Sequence, residues 1–159
     1  MRNFKKYYWF FIALAIFALD NVTKTLILTY LPLHSPINIF PSLNLLLSFN
    51  TGSAFGFLHE ASGWQKWIFT IVATLVSLFI VIWQLKFNTK HNTLLVTALA
   101  LVLGGTLGNL YDRIFYHEVI DFIDFYIKNW HYATFNIADM AICIGAGLLI
   151  VDTFKKDAR

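Results

Sequence analysis

Charge is scarce in this chain. Only 13% of its 159 residues are Asp, Glu, Lys or Arg, against roughly a quarter in ordinary soluble domains. With a mean hydropathy of +0.62, that deficit excludes a conventional soluble fold and points to an integral membrane protein. Cysteine is almost absent. Cys143 stands alone inside an apolar stretch, which rules out an intramolecular disulfide and any CxxC redox or metal motif. The five histidines, at 34, 59, 91, 117 and 131, are scattered with no HExxH-like pair, so no metal or cofactor is implied. A net charge of +3, dispersed along the chain, is too weak for a nucleic-acid partner. Repeats, low-complexity tracts and a composition break are also missing, so residues 1–159 read as one domain.

Apolar residues are what the chain has instead. A helix crosses the hydrocarbon core in about 20 of them, and four stretches qualify: 8–28, 65–85, 93–111 and 135–154. The first follows MRNFKK but is long for a signal-peptide core. It also carries Asp20 and Lys24 and lacks a small-residue cleavage site, so it reads as a retained span. Arg2, Lys5, Lys6, Lys86, Lys90, Lys155, Lys156 and Arg159 all flank the same side of the four spans. By the positive-inside rule both termini are cytoplasmic, and segments 29–64 and 112–134 face outward. Tyr7, Tyr8, Trp9, Trp64, Trp67, Trp83 and Trp130 fall at the expected interfaces. The fold class expected is an all-α membrane protein of four transmembrane helices plus a small extracytoplasmic β element. That element is placed at 43–57, where Leu43, Leu45, Leu47 and Phe49 alternate with Asn44, Ser48 and Asn50. Gly52 and Gly56 permit close backbone approach there.

The few acids gather at one depth. Asp112, Glu118, Asp121 and Asp124 follow span three, Asp139 opens span four, and Asp20 with Lys24 lies in the outer half of span one. Ionisable groups in a bilayer are costly and mark function or pairing. Asp20 and Lys24, one turn apart with the acid first, suit an ion pair, with substrate contact as the alternative. Asn109 and Asp112 share a face if the helix persists, and Arg113 is placed to compensate Asp112 or to bond a peptide. Asp112 therefore reads as architectural. Asp121 and Asp124 sit in VIDFIDF among apolar neighbours that raise a carboxyl pKa; local sequence does not choose between them. In FNIAD, Asn136 is a helix cap, whereas Asp139 leads into an apolar run with no cation near. Gly104 with Gly108, and Ala141 with Gly145, give the small-xxx-small spacing expected to draw spans three and four together. Two buried acids sharing a proton are the machinery of aspartic proteolysis. No serine, lysine or cysteine stands beside an obvious base for a nucleophilic route.

DNVTK (20–24), FNTGSAF (49–55), GNLYDR (108–113), VIDF (119–122) and FNIAD (135–139), in this order across four spans, resemble the bacterial lipoprotein signal peptidases, or signal peptidase II. The likeness covers essentially the whole chain. It implies a membrane aspartic endopeptidase that cleaves prolipoproteins before a diacylglyceryl-modified cysteine, with Asp121 and Asp139 as the catalytic pair. It further implies that Asn50, Asn109, Arg113 and Asn136 hold the substrate backbone. Asp20, Lys24, Gly52, Asp112 and Ala138 would support the site. The implied setting is the bacterial cytoplasmic (inner) membrane, with membrane lipid as surroundings, the site facing outward and the chain a monomer. The rival reading is a small proton- or cation-coupled transporter, since acids in spans also mark ion pathways. The acids lie at one depth rather than in a relay, which counts against it.

Overall fold

The computed structural model describes residues 4–51, 64–86 and 92–157. Four helices, α1 (Phe4–Tyr30), α2 (Gln65–Lys86), α3 (Thr93–Phe115) and α4 (Ile137–Asp157), carry the four apolar stretches. Each is long and apolar enough to cross a membrane. Large side chains such as Phe79 and Phe154 stand 59% and 69% exposed. That is an unfavourable surface in water and the expected one against acyl chains. Helices are a natural form for these segments, because no water in the hydrocarbon satisfies a free backbone group.

Helix α3 is the most buried of the four and packs against each of the others. Its small residues set those distances, though not as the pairwise spacing predicts. A Cβ on Gly104 would stand 2.6 Å from the Ala13 carbonyl, so the Gly104–Gly108 stripe receives α1. The approach to α4 falls to Gly105, which lies against Ala138 and Ile142, and to Gly145, whose Cβ would meet the Ala98 carbonyl at 2.7 Å. Adjacent positions on a helix point about 100° apart, so neighbouring glycines in one helix serve two partners. Away from the sheet, Trp9, Ile80, Val96, Ala100 and Leu103 fill the contact of α1, α2 and α3.

The β element is larger than expected. Strands β1 (Ile37–Phe40), β2 (Leu43–Asn50), β3 (Val119–Ile127) and β4 (Trp130–His131) form one sheet in that order, with each pair antiparallel. The segment 112–134, expected only to face outward, thus holds two strands, while the expected 51–57 part of the element, with Gly52 and Gly56 in it, lies outside the described residues beyond Thr51. Ser42 and Lys128 turn the hairpins at φ 70° and 55°. The alternation read along 43–50 also breaks. Leu45 opposes Ile123 but Ser48 opposes Asp121, so β2 carries one extra residue, a bulge. It buries Asn44 and Leu47 in place of a uniform leucine face. Ile27, Leu47, Ile120 and Phe122 form a second core joining the end of α1 to the sheet.

Candidate active site

Polar residues converge where α1, α3 and α4 meet the sheet. Lys24 is at the centre, 2% exposed. Its Nζ lies 2.7 Å from Asp20 Oδ2 and 2.7 Å from Asp112 Oδ2, and donates to Asn109 Oδ1 at 3.0 Å. All three ammonium donors are therefore engaged. Asp20 Oδ1 accepts the Ala138 N–H at 2.8 Å, and Asp112 Oδ2 accepts the Ile120 N–H at 3.1 Å. This one cation binds α1 to α3, and its two acids carry the tie on to α4 and β3. A Cβ on Gly108 would collide with Asp20 Oδ2, and Ala138 is fully buried close by. Small residues at both positions give the carboxylate its place.

From Lys24 the network runs to the other two acids. With Asn109 Oδ1 held by Lys24, the amide must turn its NH₂ away, and Nδ2 donates to Asp139 Oδ1 at 2.7 Å. Asn136 caps α4: its Oδ1 accepts the Asp139 N–H at 2.9 Å, while Asp139 Oδ2 accepts the Asn136 N–H at 3.2 Å. This reciprocal capping supplies the local role for Asp139 that the sequence reading did not find. Asn136 Nδ2 donates to Asp121 Oδ1 at 2.8 Å, with Asn109 Oδ1 and the Ile120 carbonyl sharing the amide at 3.1 and 3.2 Å. Asn50 Nδ2 donates to Asp121 Oδ2 at 3.1 Å. Asn136 thus touches both Asp121, at the start of β3, and Asp139, in the first turn of α4.

The two acids differ in setting. Asp121 is 1% exposed, and Asp139 only partly buried. Burial, followed by the nearby Asp139 charge, pushes the Asp121 pKa up to about 7, against the bonds from Asn50 and Asn136 and the charge of Lys24. A carboxyl poised there holds or releases a proton near neutrality.

The structure brings together Asp20, Lys24, Asn50, Asn109, Asp112, Asp121, Asn136, Ala138 and Asp139. Gly52 lies outside the described residues. Arg113 does not pair with Asp112, which Lys24 has taken. Instead its Nη1 donates to the Asn109 carbonyl at 3.2 Å, its guanidinium lies 5.6 Å from the Phe69 ring centre, and its buried Nε bonds nothing among the described residues. Asp124 is as buried as Asp121 yet among the described residues its side chain bonds Asn44 and His131 and no member of the dyad network. That separates the two acids that local sequence left equivalent. The backbone N–H groups of Ile120 and Ala138 were not anticipated; no side-chain pattern announces them.

The chain is similar to known proteins along most of its length. The family model described as signal peptidase (SPase) II matches residues 12–155. The lipoprotein signal peptidase of Hydrogenovibrio crunogenus is 51% identical over 148 residues, covering 93% of this chain and 86% of that protein. That of Coxiella burnetii strain RSA 493 is 43% identical over 150 residues, covering 94% and 91%. A solved bacterial membrane enzyme is similar with a TM-score of 0.82 at 31% identity, covering 94% of this chain and 88% of its own.

Proposed function

The chain belongs to the signal peptidase II family, and from that premise we propose that it is an aspartic endopeptidase that removes signal peptides from prolipoproteins. The scissile bond is the one before a diacylglyceryl-modified cysteine. The observation that carries the catalytic assignment is the contact of Asn136 with both Asp121 and Asp139, beside Lys24, a buried cation already committed to Asp20 and Asp112.

In this reading Asp121 carries the proton of the pair below about pH 7, and Asp139 acts as the base. Asp139 takes a proton from water, whose oxygen attacks the peptide carbonyl carbon while the Asp121 proton polarises the carbonyl oxygen. Collapse of the tetrahedral intermediate breaks the C–N bond, and the leaving amine takes the proton held by Asp139. Lys24, Asp20 and Asp112 fix the frame. Asn50, Asn109, Arg113 and Asn136 orient the substrate backbone, Arg113 with its unengaged donor.

The substrate brings an apolar signal helix and two acyl chains, so it enters from the lipid phase. We read the enzyme as one domain and a monomer, surrounded by lipid in the bacterial inner membrane. Both termini are cytoplasmic and the sheet end is outward, as the Lys and Arg distribution requires. A transporter reading is not favoured, because the family is one of signal peptidases and the linked acids Asp20, Asp112, Asp121 and Asp139 gather at one end of the bundle, away from Asp152 at the other. The test is incubation of the purified protein with a diacylglyceryl-modified prolipoprotein and with its unmodified precursor. Mass spectrometry should find the signal peptide released before the cysteine from the modified form alone. Equal cleavage of both would overturn the specificity, and cleavage of neither would overturn the activity.

A further inference from the structure

Asp124 is buried without touching the dyad, and a buried carboxylate is costly unless its bonds are satisfied. Asn44 Nδ2 donates to its Oδ2 at 2.9 Å, and His131 Nδ1 lies 2.8 Å from its Oδ1. Asn38 Nδ2 donates to Asn44 Oδ1 and to the Tyr126 hydroxyl, both at 3.1 Å. The Tyr126 ring stacks on His131 at 5.3 Å, closing a ring of contacts with a member on every strand.

Register makes this ring matter to the site. Asp121 and Asp124 are three residues apart, so on a regular strand they face opposite ways, whereas Asn44 and Asn50 are six apart and face the same way. Two Asn–Asp pairs across a regular ladder are therefore incompatible. The bulge between Leu45 and Ser48 adds one residue to β2 and resolves the conflict. With it Asn44 stands opposite Asp124, and Asn50 reaches Asp121 from the diagonal. A slip of one residue would keep one pair at most.

We propose that Asn44 and Asp124 are positioning residues for the hydrolysis: with His131 they pin the register of β2 against β3, and so hold the Asn50 amide on Asp121. This rests on the assignment of Asp121 to the catalytic pair. Asp121 is also faced by Asp139 from α4, Lys24 from α1, Arg113 from α3 and, through Ile120, Asp112. These are unchanged when Asn44 is replaced. Losing the Asn50 bond removes a stabiliser of the ionised carboxylate, so the alkaline limb of the rate profile moves to higher pH.

The experiment is a pH profile of kcat on modified prolipoprotein for wild type, Asn44→Ala, Asn50→Ala, the double variant and Asp121→Asn, each checked as monodisperse. Asn44→Ala and Asn50→Ala should each lower kcat roughly tenfold and raise the alkaline limb by about one pH unit. The double variant should match Asn50→Ala. Multiplicative losses, or an unmoved limb in Asn44→Ala, would overturn the relay while leaving the dyad intact. Activity in Asp121→Asn would instead overturn the dyad itself. If Asn44→Ala does not fold, the exchange Asn44→Asp with Asp124→Asn keeps the cross-strand bond with donor and acceptor reversed. It should restore the wild-type profile, and a folded exchange variant with a displaced limb refutes the proposal.

Discussion

Lys24 ties α1 to α3 through two buried acids, and Lys24→Met measures what that tie is worth. Its Nζ contacts Asp20 and Asp112 at 2.7 Å each. At an effective dielectric constant near 20, each contact is worth roughly 6 kcal/mol of gross attraction. Desolvation of three buried charges offsets much of that, as does repulsion between two carboxylates gathered on one ammonium. With the cation gone, the repulsion and the carboxylate desolvation remain and the compensation does not. Breaking a buried pair in this way costs about 3–5 kcal/mol. Denaturant unfolding in detergent micelles, followed by tryptophan fluorescence, should show a loss in that range. Adding Asp20→Asn and Asp112→Asn to Lys24→Met should return more than half of it, because an uncharged cluster has no orphaned ions. A single variant within about 1 kcal/mol of wild type, or a triple variant worse than the single, would contradict this role of Lys24.

Other consequences are as direct. Folding raises the Asp121 pKa from 3.8 to about 7, so its contribution to stability is full below pH 3.8 and is lost as pH rises through 7. Asp121→Asn should remove this loss, up to about 4 kcal/mol, and unfolding of both proteins at pH 5 and pH 8 checks it; identical pH dependence would contradict it. Gly108→Ala drives a methyl into Asp20 Oδ2 and should lower both stability and turnover, whereas Gly147→Ala meets nothing within 4 Å and should stabilise α4 by up to about 1 kcal/mol. Thermal melts with activity assays distinguish them, and equal behaviour of the two would contradict the packing.

The four helices were legible because each span needs a long apolar run and the chain has four. The Asp20–Lys24 pair was legible from its spacing. Asp112 was read as framework, and the partner the structure gives it, Lys24, was not foreseen. Arg113 adjoins Asp112 in sequence, yet neighbours on a helix point apart, and the cation that reaches Asp112 comes from α1. Asp121 and Asp124 looked equivalent because local hydrophobicity is blind to what crosses from β2, where the bulge gives each acid its own asparagine. The β3–β4 hairpin escaped notice for a related reason: VIDFIDF buries residues on both faces and lacks the alternation of a half-buried strand. The reciprocal cap in FNIAD was open to sequence in the Asn-x-x-Asp spacing, and was passed over.

Asp121 and Asp139 are the proposed hydrolytic pair. The measurement that tests this most directly is cleavage of diacylglyceryl-modified prolipoprotein by folded Asp121→Asn, Asp139→Asn and Asp112→Asn beside wild type. Loss of turnover at 121 and 139, with reduced but measurable turnover at 112, is the predicted result. Turnover retained in Asp121→Asn and abolished in Asp112→Asn would contradict it, and would move the pair from β3 and α4 to α3 and α4.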